Sequence, residues 1–208
     1  MQKTRVVAQG QQLVLIDRET QISLSDSQES SLITAVTMHI PSWDSIVLSD
    51  YGKGFVTKRL AGAVINLARK HRKPVIVDPK PQHAHYFKHC TIMTPNQAEA
   101  FSMTGRENIQ QAGKAIQKKF SCHVLITQGK DGMTLFYGSK IRHIPTIAQE
   151  VVDIVGAGDT VAGVLGLALA TATSYFDAVR LANVAAGIVV GKHGTATLSP
   201  EELIASIP

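Results

Sequence analysis

The sequence predicts an α/β fold, a mostly parallel sheet covered by helices, and three observations carry that expectation. Short β-rich apolar runs such as SIVLSD, PVIVDP and HVLITQG alternate with longer amphipathic runs. The chain has 208 residues, 44% hydrophobic and 18% charged, enough for one sizeable core and unlike a disordered composition. Repeats, low-complexity segments and long linkers are absent from the sequence, so 1–208 reads as a single domain.

The elements follow in order. TRVVA and QLVLID flank Gln9-Gly10 and read as a β-hairpin. The polar SLSDSQES leads into a helix ending near His39, with Ser25 or Ser27 as its cap. SIVLSD is a strand, and Thr57 to Lys70 a helix with Leu60, Val64, Leu67 and Ala68 on one face. PVIVDP and TIMTPN are strands; Gln97 to Thr104 and Asn108 to Phe120 are helices split by Gly105. HVLITQG is a strand, followed by a hairpin of MTLFYG and KIRHIP. The end is helical: Ala157 to Ala172, Ser174 to Gly191, and a short helix opened by Ser199-Pro200-Glu201-Glu202.

In such a sheet, ligands bind where strand C-termini meet helix N-termini. That directs attention to Asp50–Gly54, Asp78–Lys80, Thr94–Glu99, Thr127–Gly132 and Gly156–Asp159. The net charge of +5 suits an acidic small substrate or a nucleic acid. The basic residues are scattered, however, and at 5% aromatic content nothing suggests a base-stacking platform, which argues against nucleic acid. The apolar run Val161 to Ala172 falls short of the ~20 residues of a membrane span and reads as a core helix. Cys90 and Cys122 have no metal-binding spacing and read as buried reduced thiols of a cytoplasmic protein. His83, His85 and His89 have no adjacent acidic residue and read as surface histidines rather than a metal site.

VVDIVGAGDTVAG raises a sharper question, because glycines that open a helix suit an anion, yet Asp159 adds a negative charge there. A dinucleotide fingerprint needs a following strand, and another helix follows instead. Small residues for helix packing explain Ala162, Gly163 and Gly166 but not a buried charge at Asp159. In the third reading, the N–H groups of Gly156, Ala157 and Gly158 cradle a transferring phosphoryl group, and Asp159 is the general base that takes the proton of the attacking hydroxyl.

Asp153-x-x-Gly156-Ala157-Gly158-Asp159-Thr160 resembles the C-terminal signature of the ribokinase-like (PfkB) carbohydrate kinases. TPNQAE resembles the family's Asn-x-x-Glu segment, TQGKDG its nucleotide-loop strand end, and ANVAAGIVVGKHGT its adenine-side helix. SDYGKG and DPK sharpen the resemblance toward the heptose-7-phosphate kinases of ADP-heptose synthesis. The resemblance implies a three-layer α/β/α sandwich and ATP-dependent phosphorylation of the anomeric 1-hydroxyl of D-glycero-β-D-manno-heptose 7-phosphate. It also implies Mg²⁺, a monovalent cation such as K⁺, and a homodimer. Such kinases carry a further N-terminal segment before the position matching Met1, so the chain is expected to hold the C-terminal portion of the kinase domain, without the early strands and lid.

The residue roles come from the same resemblance. Asp159 is the catalytic base, with Gly156, Ala157 and Gly158 as its anion hole. Asn96, Glu99, Thr127, Gly129, Gly132 and Asn183 face the nucleotide, Glu99 reaching Mg²⁺ through water. Lys80, Lys53 and Asp50 face the sugar phosphate, and Asp153 the monovalent cation. Several residues keep a second reading: Asn96 with Glu99 is also a capping-box pattern, Asp153 is also a turn residue, and Lys80 and Lys53 also read as solvated lysines after a strand.

Overall fold

A computed structural model describes residues 2–8, 11–18, 23–147 and 151–207. Gln2–Ala8 (β1) and Gln11–Arg18 (β2) pair antiparallel as a separate two-stranded sheet; the turn expected at Gln9-Gly10 lies outside the described residues. Asp26–His39 (α1) follows, and then the main sheet begins: Ile46–Ser49 (β3), Val75–Asp78 (β4), Ile92–Met93 (β5), His123–Thr127 (β6), Met133–Tyr137 (β7) and Lys140–Ile144 (β8). These six strands lie in sequence order. The pairs from β3 to β6 are parallel, and β6-β7 and β7-β8 are antiparallel.

Strand alternation explains the layers, because successive side chains point to opposite faces. Val75, Val77, Met93, Val124, Ile126 and Phe136 face one core, shared with Lys58–Lys70 (α2), Gln97–Thr104 (α3) and Ile109–Phe120 (α4). Ile76, Ile92, Leu125 and Leu135 face the other, against Ala157–Ala170 (α5) and Tyr175–Val190 (α6). Pro200–Ser206 (α7) packs on α6. The fold is therefore the three-layer α/β/α sandwich.

The helix starts follow local chemistry. Ser25, Asn96 and Ser199 each form a full capping box, while Thr57 and Ser174 cap through a side-chain oxygen. The strand expected over TIMTPN shrinks to two residues, since Pro95 has no N–H and Asn96 already caps α3. A 3-10 segment over Pro81–Phe87, not anticipated from the sequence, buries Ala84 and Phe87 against α2 and α3. Among the described residues, no helix is long and apolar enough to cross a membrane.

Two helical glycines separate propensity from packing. A Cβ on Gly113 of α4 would lie 2.2 Å from Cζ of the fully buried Phe136, whereas one on Gly62 of α2 would meet nothing within 4 Å. Alanine is favoured over glycine in a helix by about 1 kcal/mol, but overpacking costs about 1–3 kcal/mol. Gly62→Ala is therefore expected to raise the melting temperature and Gly113→Ala to lower it. Thermal unfolding of the two variants beside the parent checks both signs.

Candidate active site

The C-terminal edge of the parallel strands collects the chemistry. β3 leads into Asp50, β4 ends at Asp78 with Lys80 two residues on, β5 leads through Pro95 to Asn96, and β6 ends at Thr127; because β7 and β8 are antiparallel, Met133 and Ile144 come to the same edge. A backbone bridge ties Asn96 to Thr127. Asn183 of α6 is buried, and its Nδ2 donates to Pro145 O at 2.8 Å. A cavity of about 630 Å³ opens there, within the range of small-molecule sites. Asn96, Thr127, Gly129, Gly132, Asn183, Ala157 and Gly158 line it, together with Val151, Ile154 and Val190. Most of the residues expected at a nucleotide thus share one cavity.

Two of its glycines carry conformational demands. Gly156, the N-cap of α5, has φ 87°, and no side chain caps this helix. Gly132 has φ 82°, and a Cβ there would lie 2.2 Å from Ile144 O. Helix geometry leaves the first N–H groups of α5 without intrahelical acceptors, with the dipole's positive end facing the cavity. One of the three expected anion-hole donors is already engaged: Ala157 N–H meets Ile154 O at 3.3 Å, a long bond made because the chain turns tightly into the helix.

Beside the cavity stands a charged cluster. Asp159, in the first turn of α5, is exposed rather than buried as expected, and accepts a 2.8 Å hydrogen bond from the Tyr51 hydroxyl at Oδ1. Lys80 Nζ donates to Glu99 Oε1 at 2.9 Å. The other Glu99 oxygen accepts Asn96 N–H at 3.0 Å, so the capping box and an ion pair share this carboxylate. The Glu99 bond holds the Lys80 ammonium in its charged form, raising its pKa. Burial pushes the Asp78 carboxyl up to about 6, helped by the negative charges of Glu99 and Asp159 and opposed by Lys80. The charges of Glu99 and Asp159 thus both bear on Asp78, while Lys80 is bonded to Glu99. Among the described residues, no group of three or more acidic, His or Cys side chains is arranged to hold a metal directly.

Other expected residues take more specific places. Asp50 is only 2% exposed; Oδ1 accepts Gly52 N–H at 2.8 Å, and Oδ2 lies 2.8 Å from His83 Nδ1. His83 is half-buried rather than fully at the surface and stacks on Tyr86 with ring centroids 4.9 Å apart; His85 and His89 are exposed. Its role was missed because the partner lies 33 residues earlier. Lys53 sits half-buried in the loop after β3. Asp153 forms a turn, its Oδ1 accepting Val155 N–H at 2.9 Å.

The Asp78 environment sets a pH dependence. A carboxyl whose folded pKa lies above its unfolded value favours the fold most when protonated, so this contribution is present below about pH 4 and lost as pH rises through about 6. Asp78→Asn removes the penalty of ionisation. The variant is expected to gain on the parent between pH 4 and 7, by at most about 3 kcal/mol. Denaturant unfolding at several pH values measures the gap, and a gap independent of pH would contradict it.

Comparisons with known proteins give the family and agree with the fold. The model of the pfkB family carbohydrate kinases matches residues 3–202. The bifunctional protein HldE of Geobacter sulfurreducens is 42% identical over 99% of this chain and 43% of its own length. That of Citrifermentans bemidjiense is 43% identical over 99% of this chain and 44% of its own. The chain thus spans less than half the length of these curated relatives. Among solved structures, Escherichia coli phosphofructokinase-2 in complex with substrates and products superposes with a TM-score of 0.77 at 21% identity, covering 98% of this chain and 68% of that one. Arabidopsis thaliana ribokinase complexed with ribose and ATP gives 0.70 at 24% identity, covering 88% of this chain and 59% of that one. The chain belongs to the pfkB family of carbohydrate kinases.

Proposed function

We propose that this sugar kinase transfers the γ-phosphoryl group of ATP to the anomeric 1-hydroxyl of D-glycero-β-D-manno-heptose 7-phosphate. One observation carries the reading most: a carboxylate, Asp159, stands in the first turn of a helix whose opening faces a cavity of nucleotide size. The resemblance of SDYGKG and DPK to heptose-7-phosphate kinases, and the similarity to HldE proteins, support the choice of sugar.

In this reading ATP lies in the cavity, its base toward Asn183 and its phosphates between Gly129–Gly132 and the start of α5. The backbone N–H groups around Gly156 and Gly158 stabilise charge on the transferring phosphoryl group, as fixed dipoles that need no reorganisation. Asp159 accepts the proton of the sugar hydroxyl as its oxygen attacks phosphorus. Lys80 neutralises charge beside the transferring group, and Lys53 and Asp50 face the sugar phosphate. Glu99, with Asn96, holds Mg²⁺ through water; when bound, this ion supplies charge neutralisation on the phosphates. Asp153 serves a monovalent cation, K⁺ in this reading. The reaction takes place in the cytoplasm. The working form is a homodimer, for which Leu13, Val14 and Ile16 on β2 offer exposed apolar surface.

An alternative reading, a nucleotide-binding piece with little transfer activity, draws on the short span of the relatives that the chain covers. A coupled ADP-release assay with and without heptose 7-phosphate decides between them. Sugar-dependent release supports the kinase, and nucleotide binding without it supports the alternative. In an active enzyme, Asp159→Asn is expected to lower kcat by about 10²–10⁴-fold while nucleotide affinity barely changes. Glu99→Gln is expected to raise the Mg²⁺ concentration needed for half-maximal rate; an unchanged titration would leave Glu99 with its cap and its lysine alone.

A further inference from the structure

Tyr51 is a residue of SDYGKG to which the proposed chemistry gives no task. It lies directly after Asp50, whose buried carboxylate is fixed on both oxygens by Gly52 N–H and His83. That anchor holds the start of the loop, and Gly52 with φ 69° turns the chain immediately after Tyr51. The phenol reaches from β3 to α5 and donates to Asp159 Oδ1 at 2.8 Å, joining residues 108 apart in sequence. Tyr51 is 55% exposed, so burial does not account for its position.

We infer that Tyr51 is a positioning residue for the carboxylate of Asp159, its hydroxyl holding Oδ1 so that Oδ2 is presented to the acceptor hydroxyl. This rests on the reading of Asp159 as the base. The physical argument concerns orientation. An exposed aspartate at a helix start rotates among rotamers, whereas proton transfer needs one oxygen within hydrogen-bond reach of the hydroxyl. A phenol O–H to a carboxylate is a charge-assisted bond and fixes that rotation. The groups facing the pair are Asp78 of β4, whose charge repels the Asp159 carboxylate and opposes ionisation of the phenol, and Lys80 and Glu99 beyond it. Consistent with the contact, the Asp159 carboxylate holds the Tyr51 phenol in its protonated form, raising its pKa above the usual tyrosine value. The Asp50–His83 pair acts further back, by setting the loop from which Tyr51 projects.

The test has two readouts. The first needs no turnover. The chain has four tyrosines, and the ¹³Cζ resonance of Tyr51 is assigned by its loss in Tyr51→Phe. Its titration in the parent is expected above that of an ordinary tyrosine, moving down in Asp159→Asn, where the charge is gone. An identical titration in both proteins overturns the inference, whether or not the chain is active. The second readout is kinetic, with MgATP and heptose 7-phosphate as substrates. Tyr51→Phe is expected to lower kcat about tenfold, with KM for the sugar within twofold and an unchanged melting temperature. A parent-like kcat in Tyr51→Phe, while Asp159→Asn is inactive, overturns the positioning role alone. A fully active Asp159→Asn overturns the reading of Asp159 as the base instead, which keeps the two failures distinct.

Discussion

At one edge of the parallel sheet the Asp78 carboxyl feels the negative charges of Glu99 and Asp159, with Lys80 bonded to Glu99, and the rest of the site is arranged around that repulsion. The chain cannot spread them apart, because each is pinned by its element. Asp78 ends β4, Glu99 is the third residue of α3 and bonds back to its cap, and Asp159 rides in the first turn of α5. Their mutual cost is partly relieved by Lys80 and by keeping Asp78 closer to neutrality than an ordinary aspartate. Perturbed carboxylates of this kind cluster at functional sites, and the proposed function gives them a cation and the proton of an attacking hydroxyl to receive.

The neighbouring cavity has the opposite character. Val151, Ile154, Val161 and Val190 give it apolar walls, and its polar features are backbone groups, Asn96, Thr127, Thr146 and Asn183, with one charged side chain, Lys130. An apolar wall suits a flat base, while the opening of α5 suits phosphates. The two halves meet at Gly156–Asp159, where a left-handed glycine lets the backbone turn into the helix with its N–H groups toward the cavity. In the proposed reading this single short segment couples the phosphate side to the base side, so that the negative residue beside the anion site serves the attacking group rather than the phosphate.

Much of this was legible in the sequence because it depends on local chemistry. The alternation of Val75, Ile76 and Val77 between two cores follows from strand geometry, and Ser25, Thr57, Asn96, Ser174 and Ser199 announce helix starts by residue type alone. Gly156 and Gly132 likewise stand where positive φ is required. The illegible contacts are those that need the order of strands. Asp50 meets His83 because β3 lies beside β4, and Tyr51 meets Asp159 because α5 crosses those same strands. Neither partner shows a periodic or spacing signal. The exposure of Asp159 was also hidden, since an apolar sequence neighbourhood suggests burial while only one face of α5 turns inward.

The central claim is that the opening of α5 and the cavity beside it form one phosphate and nucleotide site. Backbone amide NMR during titration with a non-hydrolysable ATP analogue and Mg²⁺ tests it most directly. The account predicts that the largest shifts fall on Gly156, Ala157 and Gly158, with a second group at Gly129–Gly132 and Asn183. Saturable shifts confined to other surfaces, or none at the start of α5 at millimolar analogue, would contradict it.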